Sequence, residues 1–174
     1  MGKRLRIERG TVFSVDLERQ GFAGGLVTHR GKQLLRVVAS PVHYPCRPNA
    51  QAVVSDIDRL GIGFSAIIVD KGFQIGLFEV LGCELVPLRC QSLPLFYSAQ
   101  DIVQYSEESL DTCWIVENPP NGAPIFEKLL LPPWGFANCL RYILVDKTHY
   151  WEPAMGILPL DQSLCASPGG ADQD

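Results

Sequence analysis

The sequence is short of several things, and each shortage narrows what the chain can be. No apolar run approaches the ~20 residues of a helical membrane span; stretches such as residues 66–69 and 129–131 are far shorter. Positive charge is not in excess: 15 Lys and Arg stand against 19 Asp and Glu, for a net charge of −4. Nucleic-acid binders usually carry a basic surplus, so direct nucleic-acid binding is not expected. The six cysteines (Cys46, Cys83, Cys90, Cys113, Cys139 and Cys165) include no Cys-x-x-Cys pair. With no export signal in view they read as reduced, mostly buried small hydrophobes. Histidines number three, and His43-x-x-Cys46 lacks the second ligand pair that tetrahedral zinc requires. Ser65 lacks the G-x-S-x-G elbow of a hydrolase nucleophile. The expectation is a chain without cofactor or metal and without an assembled catalytic group.

The opening residues MGKRLRIERG are basic but lead into no apolar region, so they do not read as a secretory signal. Arg6 stands where a myristoylation signal following Gly2 needs Ser or Thr. Cytoplasm is the expected compartment. A hydrophobic content of 47% with 20% charged residues suits one packed domain, expected over residues 1–166. Residues 167–174, small and acidic, read as a disordered tail.

What is present centres on residues 10–29. Phe13, Val15 and Leu17 alternate with Val12, Ser14 and Asp16, the period-2 pattern of a strand with one preferred face. A polar connection ending in Gly21 leads into a second strand over residues 22–28, so a hairpin is expected. Gly24 and Gly25 lie inside that second strand, where paired glycines mark a bulge, a bend or a close approach by other groups. Residues 32–38 read as a third strand. Asn49 reads as an N-cap ahead of Ala50, Val53, Val54, Ile57 and Leu60 at helical spacing, with Gly61 at the C′ position and Gln51, Ser55, Asp58 and Arg59 outside. Gly61-x-Gly63-x-x-Ala66 matches a dinucleotide fingerprint in letters only, because a helix precedes it and a strand follows.

Further along, residues 64–69 and 73–80 read as two strands of a second hairpin around Asp70-Lys71-Gly72, and residues 84–88 as one more strand. Ser98 followed by Asp101 suggests a short capped helix carrying Ile102 and Val103. Residues 113–117 are strand-like. Residues 140–145 are compatible with a strand or with the end of a helix from Ala137. The fold class expected is therefore α+β, with a mostly antiparallel, strongly curved, small barrel-like sheet and two or three short helices.

Two groups stand out as candidate contacts. Glu107, Glu108 and Asp111 form a carboxylate cluster, either a solvated face or an acidic contact surface for a basic partner. Late aromatics include Trp134 and Phe136, either core or exposed anchors of an interface.

The opening pattern Arg9-Gly10-Thr11-Val12-Phe13-Ser14-Val15-Asp16-Leu17, followed by Gly21-Phe22-Ala23-Gly24-Gly25-Leu26-Val27 and later by Ile75-Gly76-Leu77-Phe78, resembles the immunity protein 26 family. The matched residues cover roughly a quarter of the chain and are mainly strand formers. Ala23 stands where the family usually has tyrosine, and Gly25 where it often has a larger or polar residue. The resemblance implies a non-enzymatic bacterial protein that binds and neutralises a cognate toxin by occlusion. If that toxin acts on nucleic acid, its basic cleft suits the acidic cluster with Trp134 and Phe136 as anchors. The alternative is a small-molecule-binding domain or small enzyme with a pocket beside the Gly24-Gly25 bend.

Overall fold

The computed structural model describes residues 6–98, 101–107, 109–121, 125–127 and 130–146. The 167–174 tail, Glu108 and Cys165 lie outside them. β1 (Thr11–Asp16) and β2 (Phe22–Arg30) form the expected hairpin, in register from Val12↔Leu26 to Asp16↔Phe22. The connection turns through left-handed backbone at Glu18, Arg19 and Gly21. β3 (Leu34–Ala39) adds antiparallel to β2. α1 (Ala50–Leu60) starts where Asn49 Oδ1 accepts the Ala52 N–H at 2.8 Å and stops at Gly61, whose φ of 97° suits glycine. Local signals carry these elements, and their bounds stand within about two residues of those the sequence suggests.

The next stretch departs from expectation. β4 (Phe64–Val69) and β5 (Phe78–Cys83) do not pair with each other; β4 pairs with β3, and β5 crosses the sheet to pair with β1. Between them lies α2 (Lys71–Gln74), not a hairpin turn. Phe73 and Phe78 explain this: their rings meet at 5.2 Å edge to face, and both reach the Phe13 ring within 5.3 Å. The connection is drawn into the core instead of looping through solvent. β5 runs on through Leu81 and Gly82 to Cys83, past the end at residue 80 that the sequence suggests. Residues 84–87 continue outside any strand into a 3₁₀ turn, Leu88–Cys90.

The second half adds β6 (Leu95–Ser98), β7 (Asp101–Tyr105), β8 (Cys113–Ile115), β9 (Ile125–Glu127), β10 (Leu130–Leu131) and α3 (Pro133–Arg141), which ends in a π-helical turn, Tyr142–Asp146. Ser98 and Asp101 are therefore paired strand residues, not the start of a helix. Val103 and Tyr105 alternate inward from β7, and that two-residue period prevails over the capping signal. Pro133 opens α3 at a position where its missing N–H costs nothing. The choice left open for residues 140–145 resolves as helix.

The fold is α+β. One sheet has six strands in the order β10-β4-β3-β2-β1-β5, antiparallel except for the β10–β4 pair; the other runs β8-β7-β6-β9, with β6 and β9 parallel. The larger sheet is open, with β10 and β5 at its edges, so it is not a closed barrel and not wholly antiparallel. Both of its faces are covered, which removes the need to curl shut. On one face Phe13, Val15, Ala23, Val27, Val37 and Ile68 pack with Phe73, Phe78 and Phe136. On the other, Val12, Leu26 and Val38 pack with Val53 and Ile57 of α1, while Ile67 packs with Phe96, Val103 and Tyr105 of the smaller sheet. No helix among the described residues is long and apolar enough to cross a membrane.

Gly24 and Gly25 make this double layering possible. As consecutive strand residues they face opposite ways. A methyl on Gly24 would meet Val53 of α1, 2.5 Å from its Cγ2, and one on Gly25 would meet the Phe13 ring. Phe13 is fully buried against three other phenylalanine rings. Phe13→Ala should therefore cost about 3–5 kcal/mol, and Gly25→Ala about 1–3 kcal/mol through overpacking. Urea denaturation of both variants checks this; losses below roughly 1 kcal/mol would place Phe13 outside the core.

Candidate functional site: a groove over a clamped segment

The face of the large sheet that carries α1 and the smaller sheet is not continuously apolar. Between its two apolar clusters lies a polar row. A bulge after Val27 brings Thr28 and His29 beside Arg36, with His29 directly opposite Arg36, and Arg36 opposite Ile67. All three side chains are buried. The Arg36 guanidinium donates through one nitrogen, Nη1, to Thr28 Oγ1 at 3.2 Å and reaches the carbonyls of Ser92 and Cys90 at 3.4 and 3.5 Å. These acceptors are uncharged, and its Nε is buried with no partner among the described residues. Burial alone lowers Arg36 to about 10, so the group stays cationic at neutral pH.

His29 bridges the same elements. Its Nε2 lies 2.9 Å from the Gln91 carbonyl, and its Nδ1 lies 3.1 Å from Thr28 Oγ1. A carbonyl only accepts, so Nε2 carries the proton and Nδ1 accepts from the threonine hydroxyl. Charging the ring would put a second buried cation beside Arg36. Burial first, then Arg36 and Arg9, lower His29 from 6.5 to about 4. The neutral ring is the native one.

Three consecutive carbonyls, of Cys90, Gln91 and Ser92, are thus held from beneath by two side chains of the sheet. At its other end the segment is tied where the Glu84 N–H donates to the Gly10 carbonyl at 2.9 Å. Gln91 Nε2 closes it internally on the Val86 carbonyl at 3.0 Å, and the Cys90 side chain is fully buried. Pinned at both ends, the segment projects Leu85 and Leu88 outward; they are 91% and 83% exposed. Leucine rarely stands so far into water, and apolar side chains presented together mark contact surfaces.

Beside these leucines runs an open groove of about 730 Å³. One wall is the outer stripe of α1: Gln51, Val54, Ser55 and Asp58, at i, i+3, i+4 and i+7. The opposite wall is Glu84, Leu85, Val86, Pro87, Leu88 and Gln91, with Arg9 and Gly10 at the end. What this arrangement can do is receive a chain segment against a prepared apolar and polar surface.

The residues singled out from sequence fare differently. Asp111 is bound into the fold: Oδ1 and Oδ2 accept the Lys32 N–H at 3.0 and 2.9 Å, and Ser109 Oγ reaches Oδ2 at 3.1 Å. It braces the β2–β3 turn. Glu107 is exposed. Trp134 sits in the first turn of α3, 55% exposed, whereas Phe136 is fully buried among Phe13, Phe64 and Phe78 and offers nothing to a partner. Helical geometry separates Trp134 from Phe136, because residues two apart point to different sides. His43 Nε2 is taken by the Gln20 carbonyl, and no group of three potential metal ligands exists among the described residues. The space beside Gly24 and Gly25 is filled, so the pocket expected at that bend is not there.

The groove was only half visible in the sequence. Gln51, Ser55 and Asp58 stand on the outer face that the sequence assigns them, but Val54, read from the sequence as core-facing, joins them in the groove wall and Arg59 does not, and residues 84–88, read as a strand, lie outside any strand. The signal that was missed is Arg36, a charge facing inward on the same side of β3 as Val38. Compared with family models, with curated proteins and with solved structures, the chain gives no match.

His29 yields a pH prediction. Its native value lies below its unfolded value, so the unfolded chain binds more protons between pH 6.5 and about 4. Stability is whole above 6.5 and falls as pH drops through that window, by on the order of 2–3 kcal/mol. Urea midpoints measured from pH 7 to 5, above most carboxylate titration, should show this slope, and His29→Gln should flatten it.

Proposed function

We propose that this chain is a protein-binding module that acts by covering a surface of its partner. The finer reading is an immunity protein that neutralises a cognate toxin by occlusion. The observation that carries the proposal is the pair Leu85 and Leu88, almost fully exposed on a segment clamped at both ends. A floppy loop would lose conformational entropy on binding; a clamped one has lost it during folding, so more of the contact energy appears as affinity. The resemblance of the N-terminal strands to the immunity family supports the choice of a toxin as partner. A small-molecule site is the second reading, favoured by a groove volume within the usual ligand range. Leucines standing in water on its rim favour the protein partner, since a small ligand would leave them uncovered.

The test is co-purification with the product of the neighbouring upstream gene, followed by titration of wild type and a Leu85→Ser/Leu88→Ser variant. Because both side chains are exposed, the variant should keep its urea midpoint within roughly 0.5 kcal/mol per site. Its affinity should fall on the order of 10- to 100-fold, the loss expected of central apolar contacts. No retained partner, or equal affinity in the variant, would overturn the proposal.

A further inference from the structure

Resting on the docking role of this groove, we infer that its occupant is an extended segment of the partner protein that alternates apolar and basic side chains. Three observations converge on that chemistry. The first is apolar: Leu85 and Leu88 stand exposed on one wall, and Val54 on the other is only partly covered.

The second is electrostatic. Asp58 and Glu84 face the groove from opposite walls, and neither has an ion-pair partner among the described residues. Other carboxylates on these elements are paired: Asp56 with Arg59 at 3.1 Å on α1, and Glu79 with Arg47 at 2.8 Å on β5. The groove also receives Arg9, so its lining carries two carboxylates and one guanidinium. The balance is negative, and the two free acids flank the space where an occupant would lie. A cationic side chain seated there gains two partners that the fold leaves unused.

The third is the backbone. Residues 84–87 continue from β5, an edge strand of the large sheet. The N–H groups of Leu85 and Val86 make no hydrogen bond among the described residues. Consecutive amides of an extended chain point to opposite sides, so an extended partner segment can take one of the two with its own carbonyl, while its side chains reach the apolar groups and the acids that both walls present. A helical occupant would keep its backbone groups to itself and leave these amides unanswered.

The probes are two synthetic eight-residue peptides, one alternating leucine or valine with arginine, the other identical but with glutamate replacing each arginine. Each is titrated into the full ¹⁵N-labelled chain and followed by amide chemical shifts. The basic peptide should bind at least tenfold more tightly than the acidic one. Its shifts should centre on Leu85, Val86 and residues 54–58, and Asp58→Asn/Glu84→Gln should erase the preference. Equal binding of both peptides, binding by neither, or shifts centred elsewhere would overturn the inference. The two proposals fail separately. If the leucine variant loses the co-purified partner while Asp58→Asn/Glu84→Gln binds it as wild type does, docking stands and the basic segment falls.

Discussion

Everything in this fold depends on how closely two layers approach the middle of one sheet. Gly24 and Gly25 sit back to back in β2, and neither takes a Cβ without displacing a neighbour: α1 presses Val53 on one side, and the Phe13 ring fills the other. Side chains at both positions would hold the layers apart, and the phenylalanine cluster and the helix could not both close on the same strands. Interior packing at crystal-like density leaves no slack to absorb such a change. The open, doubly covered sheet follows from this contact. So does the position of α1, whose outer stripe becomes one wall of the groove.

The opposite wall has a different origin. A buried guanidinium is expensive unless it is hydrogen-bonded, and Arg36 spends one nitrogen, Nη1, on a hydroxyl and two main-chain carbonyls. His29 adds a third carbonyl. The polar row thus fastens a segment with no sheet partner of its own to the seam between α1 and the smaller sheet. A strand in that place would have spent its backbone groups on neighbours; with the carbonyl clamp, the amides of Leu85 and Val86 make no hydrogen bond among the described residues. Structure and display are two results of one set of hydrogen bonds.

Asp111 turned out to be a turn brace and Phe136 a core ring, although each belongs to a residue type that commonly marks interfaces. Residue type alone does not distinguish a carboxylate that caps a turn from one waiting for a partner. The difference lies in whether a backbone N–H happens to stand opposite, here that of Lys32, 79 positions away in the chain.

By itself the sequence determined what depends on neighbours a few residues apart. The β1–β2 hairpin, the capped span of α1 and its exposed stripe follow from alternation, helical spacing and the preferences of Asn49, Gly21 and Gly61 for particular backbone angles. Tertiary structure alone decided the pairing of β5 with β1, the burial of Phe136 and the clamp of Arg36 and His29 on residues 90–92. Each of those joins residues dozens of positions apart. Local periodicity is blind to them, because which face of a strand is covered, and by what, is set by layers that form only when the whole chain has packed.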